Sequence, residues 1–131
     1  MKVMALDFGS ARTGVAVSDP TGTIARPLGV VEQALSKVGL TGLCRLVSSE
    51  GVDKIVVGMP LTLRGERGDQ ARATEEFVER LRKVVQVPVE TYDERFTTSL
   101  AQQNPSDAPE DARAAAHLLA SYLEWSSAAQ A

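Results

Sequence analysis

Four carboxylates stand where a sequence of this length can do chemistry with them. In "MKVMALDFGSARTGVAVSD" an apolar run, Val3 to Leu6, ends on Asp7. A Gly-rich turn follows, holding Gly9 and Arg12, and then a second apolar run from Gly14 to Val17. An acid at the exit of a buried strand, with glycines and one cation beyond it, serves two chemistries. It cradles a nucleotide phosphate, or it holds a metal ion against a phosphodiester.

The other acids favour the second chemistry. Asp93 and Glu94 close a later apolar run in "VPVETYDERFTTS", and Asp111 opens the segment "DARAAAHLLASYL". Ligands of α/β sheets gather beyond the carboxyl ends of the strands, so Asp7 and the Asp93–Glu94 pair meet if their strands share a direction. Asp111 falls on one helical stripe with Ala114, Ala115, Leu118, Tyr122 and Trp125, a stripe expected to pack on the sheet. Carboxylates that converge without matching positive charge repel one another unless a cation sits between them. Hard oxygen donors select Mg²⁺ or Mn²⁺, and two such ions about 3.5–4 Å apart suit phosphodiester hydrolysis. Taken singly, Asp111 reads as a helix N-cap, Asp7 as a turn former and Asp93-Glu94-Arg95 as a surface ion-pair cluster.

A second feature is the loop "VGMPLTLRGERGDQA". Gly58 and Pro60 shape its start, Gly65 lets backbone approach a ligand, and Arg64 and Arg67 offer charge to a phosphate backbone. No Gly-Lys-Ser/Thr follows, so it is not a Walker loop. A plain surface connection has the same composition. His117, the single histidine, falls on the polar side of its helix, and Cys44 sits among Leu43, Leu46 and Val47 as an expected small core residue.

The elements that must position these groups follow from periodicity. Val3–Leu6, Gly14–Ser18 and Thr23–Val31 read as three strands joined by "GSART" and "DPTG" turns, an antiparallel meander. Leu35 to Val47 follows helical spacing up to Gly51. "DKIVVG" is a short, wholly apolar strand, as befits burial on both faces. "DQARATEEFVERLRKVV" is an amphipathic helix that Asp69 can cap, with Ala71, Thr74, Val78, Leu81 and Val85 on its inner face. "VPVETY" is a strand and "EDARAAAHLLASYLEW" a closing helix. The order β-β-β-α-β-α-β-α predicts an α/β domain, a mixed five-stranded sheet flanked by helices. Residues 1–126 form the single expected domain and 127–131 a frayed tail.

Composition bounds the reading. The 131 residues allow one domain with a proper core, with 44% hydrophobic and 24% charged residues. No apolar run approaches the about 20 residues of a membrane span, and "MKVMALDFG" does not read as a signal peptide. One cysteine in such a chain fits a reducing cytoplasm. The formal net charge of −3 argues against binding nucleic acid by bulk electrostatics, so a nucleic-acid partner would have to be met through a local patch.

On "ALDFGSARTGVAVSD", "VVGMPLTLRGERGDQA", "YDERFTTS" and "DARAAAHLLASYL", in that order, the chain resembles the YqgF/RuvX family, relatives of the RuvC Holliday-junction resolvases with an RNase H-like fold. The resemblance implies a divalent-metal-dependent nuclease with Asp7, Glu94 and Asp111 as metal carboxylates and Asp93 as a candidate fourth. It implies that Arg12, Arg95, Thr97 and Thr98 contact phosphate or shape the site. The implied substrates are the 5′ end of precursor small-subunit ribosomal RNA or branched DNA. A resolvase cutting two strands symmetrically would act as a homodimer, an RNA trimmer would not. The chain departs from the family in "SLAQQNPSDAPE", which lacks the helix and basic loop usual there and leaves substrate identity open. Two other readings stay open: a non-catalytic nucleic-acid-binding module, and the phosphate loop of actin-like and sugar-kinase ATPases, which "DFGSARTG" also resembles. The latter enzymes close a second large domain over the nucleotide, for which this chain has no room.

Overall fold

The computed structural model describes residues 1–61, 64–65, 68–96 and 108–130, the last three by backbone alone. Five strands and three long helices alternate along it. They are β1 (Val3–Asp7), β2 (Arg12–Ser18), β3 (Ala25–Glu32), α1 (Lys37–Glu50), β4 (Lys54–Met59), α2 (Asp69–Val84), β5 (Val89–Asp93) and α3 (Glu110–Gln130). A single 3₁₀ turn, Glu94–Phe96, follows β5. The strands form one sheet in the order β3-β2-β1-β4-β5. β2 is antiparallel to both β1 and β3, whereas β1, β4 and β5 run parallel. The expected meander and mixed sheet are both present.

Strand alternation sends side chains to two different layers. Met4, Leu6, Val15, Val17, Ile55, Val57 and Val89 pack with Leu43 and Val47 of α1 and Phe77, Val78 and Leu81 of α2. Val3, Ala5, Ala16, Val56 and Tyr92 pack on the other face with Ala115, Leu118, Leu119 and Tyr122 of α3. Phe77, which lies beside the predicted inner stripe of α2, is fully buried and stacks on Phe8 with ring centroids 4.6 Å apart.

Local chemistry sets the boundaries. Ser36 caps α1 by accepting from the Gly39 amide at 3.0 Å, and Gly51 ends it at φ 64°. Gly68, not Asp69, is the N-cap of α2. Asp69 instead occupies the first turn, where a negative charge suits the helix dipole, and pairs with Arg72 at 3.7 Å. Cys44 is half-buried, its Sγ donating to the Val84 carbonyl at 3.5 Å. His117 is half-buried rather than solvated. Trp125, expected on the packed stripe, is 54% exposed. α3 continues through Ser126 to Gln130, over the stretch expected as tail. Among the described residues no helix is long and apolar enough to cross a membrane.

The β2–β3 turn is built on Asp19. Its Oδ1 accepts from the amides of Thr23 and Ile24, each at 2.8 Å, and its Oδ2 from the Thr21 hydroxyl. These donors hold the carboxyl well below the usual carboxylate range, the Ile24 amide most strongly. A depressed folded-state pKa contributes stability that is present above the unfolded value and lost as pH falls through the folded one. Asp19→Ala is therefore expected to lower the melting temperature at neutral pH, and the gap to wild type should close as pH falls below about 4. Thermal melts of both proteins across that range check it. A gap of constant size would mean that the turn does not depend on the charge.

Candidate active site

Three parallel strands deliver their carboxyl ends to one edge of the molecule, and alternation decides which side chains turn towards α3. On β1, Asp7 continues the Val3, Ala5 face; on β4, Gly58 continues Val56; beyond β5, Glu94 continues Glu90 and Tyr92. Asp7 and Glu94 meet by a side-chain hydrogen bond between their carboxyl groups. Gly58 makes room for this. A Cβ there would stand 2.6 Å from Glu94 Oε1 and 2.9 Å from its Cγ.

Asp111 enters from the first turn of α3 and is fixed from below. Gly14, the register partner of Asp7 on β2, lies directly under the helix start. A Cβ at Gly14 would fall 1.9 Å from the Asp111 carbonyl oxygen and 2.4 Å from its carbon. The Asp111 carboxylate pairs with Arg12, Nε to Oδ2 at 3.3 Å. Asp111 is the second residue of α3, after Glu110, and is not its N-cap.

The electrostatics match this geometry. Burial pushes the Asp7 carboxyl up, the Glu94 hydrogen bond pulls it back, and the Asp111 charge raises it further. Glu94 is pushed up to about 7, first by burial, then by the Asp7 charge, the hydrogen bond to Asp7 and the charge of Asp93. Both carboxyls are therefore harder to ionise than free ones, and each one's charge is felt by the other.

Asp93 stands apart from this set. The same alternation that brings Glu94 to the α3 side turns Asp93 to the opposite face. There Arg95 grips it, with Nε at 2.9 Å and Nη2 at 2.6 Å from Oδ2, and its own amide at 2.9 Å from Oδ1. The guanidinium holds the Asp93 carboxyl below its usual range. Arg95 in turn reaches the glycine loop, since a Cβ on Gly65 (φ 80°) would lie 3.3 Å from Nη1. Expecting acids without matching positive charge was thus too simple: Arg12 serves Asp111 and Arg95 serves Asp93.

The remaining expected residues sort plainly. Gly9 closes the β1–β2 turn, where a Cβ would stand 2.4 Å from the Arg12 carbonyl oxygen. Pro60 leaves β4 half-buried and Arg64 is exposed in the loop. Arg67, Thr97 and Thr98, and most of "SLAQQNPSDAPE", lie outside the described residues. Among the described residues no group of three His, Cys, Asp or Glu side chains stands close enough together to hold a metal ion. Asp7 and Glu94 touch, and Asp111 is engaged by Arg12. Gly14 is the positioning residue that motif reading overlooks. An isolated glycine inside a strand is the signal for it, because it marks a close backbone approach.

This architecture is the RNase H-like fold of RuvC-type resolvases. The Thermus thermophilus RuvC solved in complex with a Holliday junction substrate superposes with a TM-score of 0.69 at 15% identity, over 98% of this chain and 96% of that one. The fowlpox virus Holliday junction resolvase does so with a TM-score of 0.55 at 12% identity, over 95% and 99%. The chain belongs to the RuvX family, described as Holliday junction resolvase, whose profile matches residues 1–125. A Rubrobacter xylanophilus relative, named as a candidate pre-16S rRNA nuclease, is 44% identical over 94% of this chain and 92% of its own. A Chloroflexus aurantiacus relative of the same name is 43% identical over 77% of this chain, a match spanning 66% of that protein's length.

Proposed function

We propose that the chain is a divalent-metal-dependent endonuclease that hydrolyses phosphodiester bonds of structured nucleic acid. The observation that carries the reading is the contact between Asp7 and Glu94, two acids held above their usual range, Asp7 by burial and the Asp111 charge, Glu94 by burial and the Asp7 charge. A half-buried acid pair close to a third carboxylate is costly to keep unless a cation uses it. The donors fit a hard divalent ion, Mg²⁺ or Mn²⁺, since all are carboxylate oxygens. Asp7 and Glu94 would hold such an ion, and Asp111, once it leaves Arg12, would join them to hold one or two, which would supply charge to the attacking and leaving oxygens of an in-line displacement.

The protein's own groups do the positioning. Gly58 leaves the space in which Glu94 folds against Asp7, and Gly14 lets the start of α3, which carries Asp111, pack closely on β2. Arg12 is two-thirds exposed at the mouth of the site and is placed to meet a phosphate. Arg95 is held between Asp93 and the glycine loop, which fixes its fork for the same purpose.

The names of the relatives point to precursor 16S rRNA ends and the family description to four-way DNA junctions. Cleavage of four-way junctions, single-stranded RNA and duplexes, measured side by side with Mn²⁺, Mg²⁺ or EDTA, tests the reading. Metal-dependent cutting of at least one structured substrate is expected. Binding without cutting, in every metal, would leave a non-catalytic nucleic-acid module instead.

Gly58→Ala probes the same site without touching a charge. The new methyl falls 2.6 Å from Glu94 Oε1, 2.9 Å from its Cγ and 3.0 Å from Leu118 Cδ2, all side-chain atoms, so the Glu94 side chain must move. Turnover is expected to fall roughly 10- to 100-fold, as when a supporting contact of a metal ligand is lost, with little change in melting temperature. Wild-type turnover in this variant would show that the position of Glu94 is not critical.

A further inference from the structure

The chain has only six aromatic side chains, three Phe, two Tyr and one Trp. Phe8 and Phe77 stack in the core. The other four form one contiguous patch. The Tyr92 ring lies 6.1 Å from Phe96, 5.6 Å from Tyr122 and 6.0 Å from Trp125, and Tyr122 lies 5.9 Å from Trp125. The inner pair is buried, Tyr92 at 7% and Tyr122 at 4% exposure, whereas Phe96 and Trp125 are 60% and 54% exposed. Two large apolar rings left in water on a buried aromatic base are not needed for packing.

The patch is held rigidly and borders the acids. Ser121 Oγ donates to the Phe96 carbonyl at 3.0 Å and lies 2.9 Å from the Tyr92 hydroxyl. The Tyr122 hydroxyl donates to Glu90 at 2.8 Å and accepts from Lys54 at 3.0 Å. Tyr92 on β5 precedes Glu94 by two residues, and Phe96 ends the 3₁₀ turn that Glu94 opens. The aromatic surface therefore begins beside Glu94 and runs along the β5 edge to the C-terminal half of α3.

We infer that this patch is a stacking platform for unpaired nucleotides that lead into or out of the cleavage site. The inference rests on the nuclease reading and adds to it a preference for single-stranded segments next to the cut. Aromatic rings accept any base through its π-face, but only a base that is not already stacked inside a duplex. Charge favours base contacts over phosphate contacts here. The chain is net acidic, Glu124 adjoins Trp125 in sequence, and Lys54 is already paired with Glu90 at 2.9 Å. Stacking also gives a net-negative protein affinity for nucleic acid that does not depend on bulk electrostatics.

Trp125 is the sole tryptophan, so its fluorescence reports on the patch directly. Wild-type protein in EDTA, where the proposed metal-dependent cleavage cannot proceed, is titrated with an oligouridylate and with a blunt duplex of equal length. The single strand is expected to quench Trp125 and the duplex to leave it unchanged. Trp125→Ala should weaken single-strand binding roughly 5- to 100-fold, with the slope of log affinity against log salt unchanged, because no phosphate contact is lost. Trp125→Phe should restore most of the affinity, and matching melting temperatures of wild type and Trp125→Ala would separate the loss from a structural defect. Unchanged fluorescence together with unchanged affinity of Trp125→Ala overturns the platform. So does sedimentation showing that Trp125→Ala turns a dimer into a monomer, since the patch would then be a self-interface. The two readings fail separately. Cleavage with Trp125→Ala binding as tightly as wild type sinks the platform alone, and quenching by single strands without cleavage of any substrate sinks the nuclease alone.

Discussion

Asp7→Asn is expected to abolish metal-dependent cleavage and to raise the melting temperature of the metal-free protein. The two effects have one cause. In the fold, burial and the Asp111 charge push the Asp7 carboxyl above its ordinary range, so keeping it there opposes folding. An amide of the same shape removes the charge and still offers Glu94 a hydrogen-bond partner. The same change removes an oxygen charge from the proposed cation site. Loss of several kcal/mol of transition-state stabilisation, at about 1.4 kcal/mol per tenfold, lowers turnover roughly a thousand-fold or more. Mg²⁺ should then raise the melting temperature of wild type more than that of the variant, because binding to the folded state alone stabilises it. Melting in EDTA and in Mg²⁺, beside turnover in saturating Mn²⁺, checks all three. Wild-type turnover would sink the assignment of Asp7 to the metal, and equal metal-induced shifts in both proteins would sink the shared cation site.

Most of the fold is legible in the sequence because local signals agree with one another. The apolar runs of β1 and β4 are buried on both faces and read as strands without ambiguity. The turn residues of "DPTG" are those the Asp19 loop uses, and Ser36 and Gly51 bracket α1. The exceptions come from packing that pattern alone does not contain. Phe77 is buried because α2 lays it on Phe8. Trp125 keeps the period of its stripe and is still exposed.

The site is legible in part. Parallel strands ending in acids predict the meeting of Asp7 and Glu94, and the structure shows it. Grouping Asp93 with Glu94 by adjacency ignores the pleat, since "VETYDE" read at period two already separates Glu90, Tyr92 and Glu94 from Thr91 and Asp93. The pairing of Arg12 with Asp111 joins β2 to α3 across about a hundred residues of chain, and nothing local announces it.

Gly14→Ala should disable the site with every acid still in place. Gly14 lies inside β2 opposite Asp7, where its backbone carries the first turn of α3. The clashing atoms are not side-chain ends that can swing aside. They are the carbonyl oxygen and carbon of Asp111 and the amide nitrogen of Ala112, the last at 3.1 Å from the new Cβ. Relief requires α3 to lift off the sheet at the end where Asp111 faces Asp7. Overpacking of this kind costs about 1–3 kcal/mol where neighbours can adjust, and two backbones meeting put this case at or above the top of that range. Lifting the helix carries the Asp111 carboxylate away from the Asp7–Glu94 pair, so metal affinity and turnover fall together. The repulsion that Asp111 adds at Asp7 falls as well, and Asp7→Asn should then stabilise the Gly14→Ala protein less than it stabilises wild type. Thermal melts of the four proteins, with Mn²⁺ titration by calorimetry, measure that coupling. A Gly14→Ala protein that melts with wild type and binds Mn²⁺ as tightly would show that β2 does not set the position of α3. The placement of Asp111 would then have to come from the Leu118 and Tyr122 contacts further along the helix.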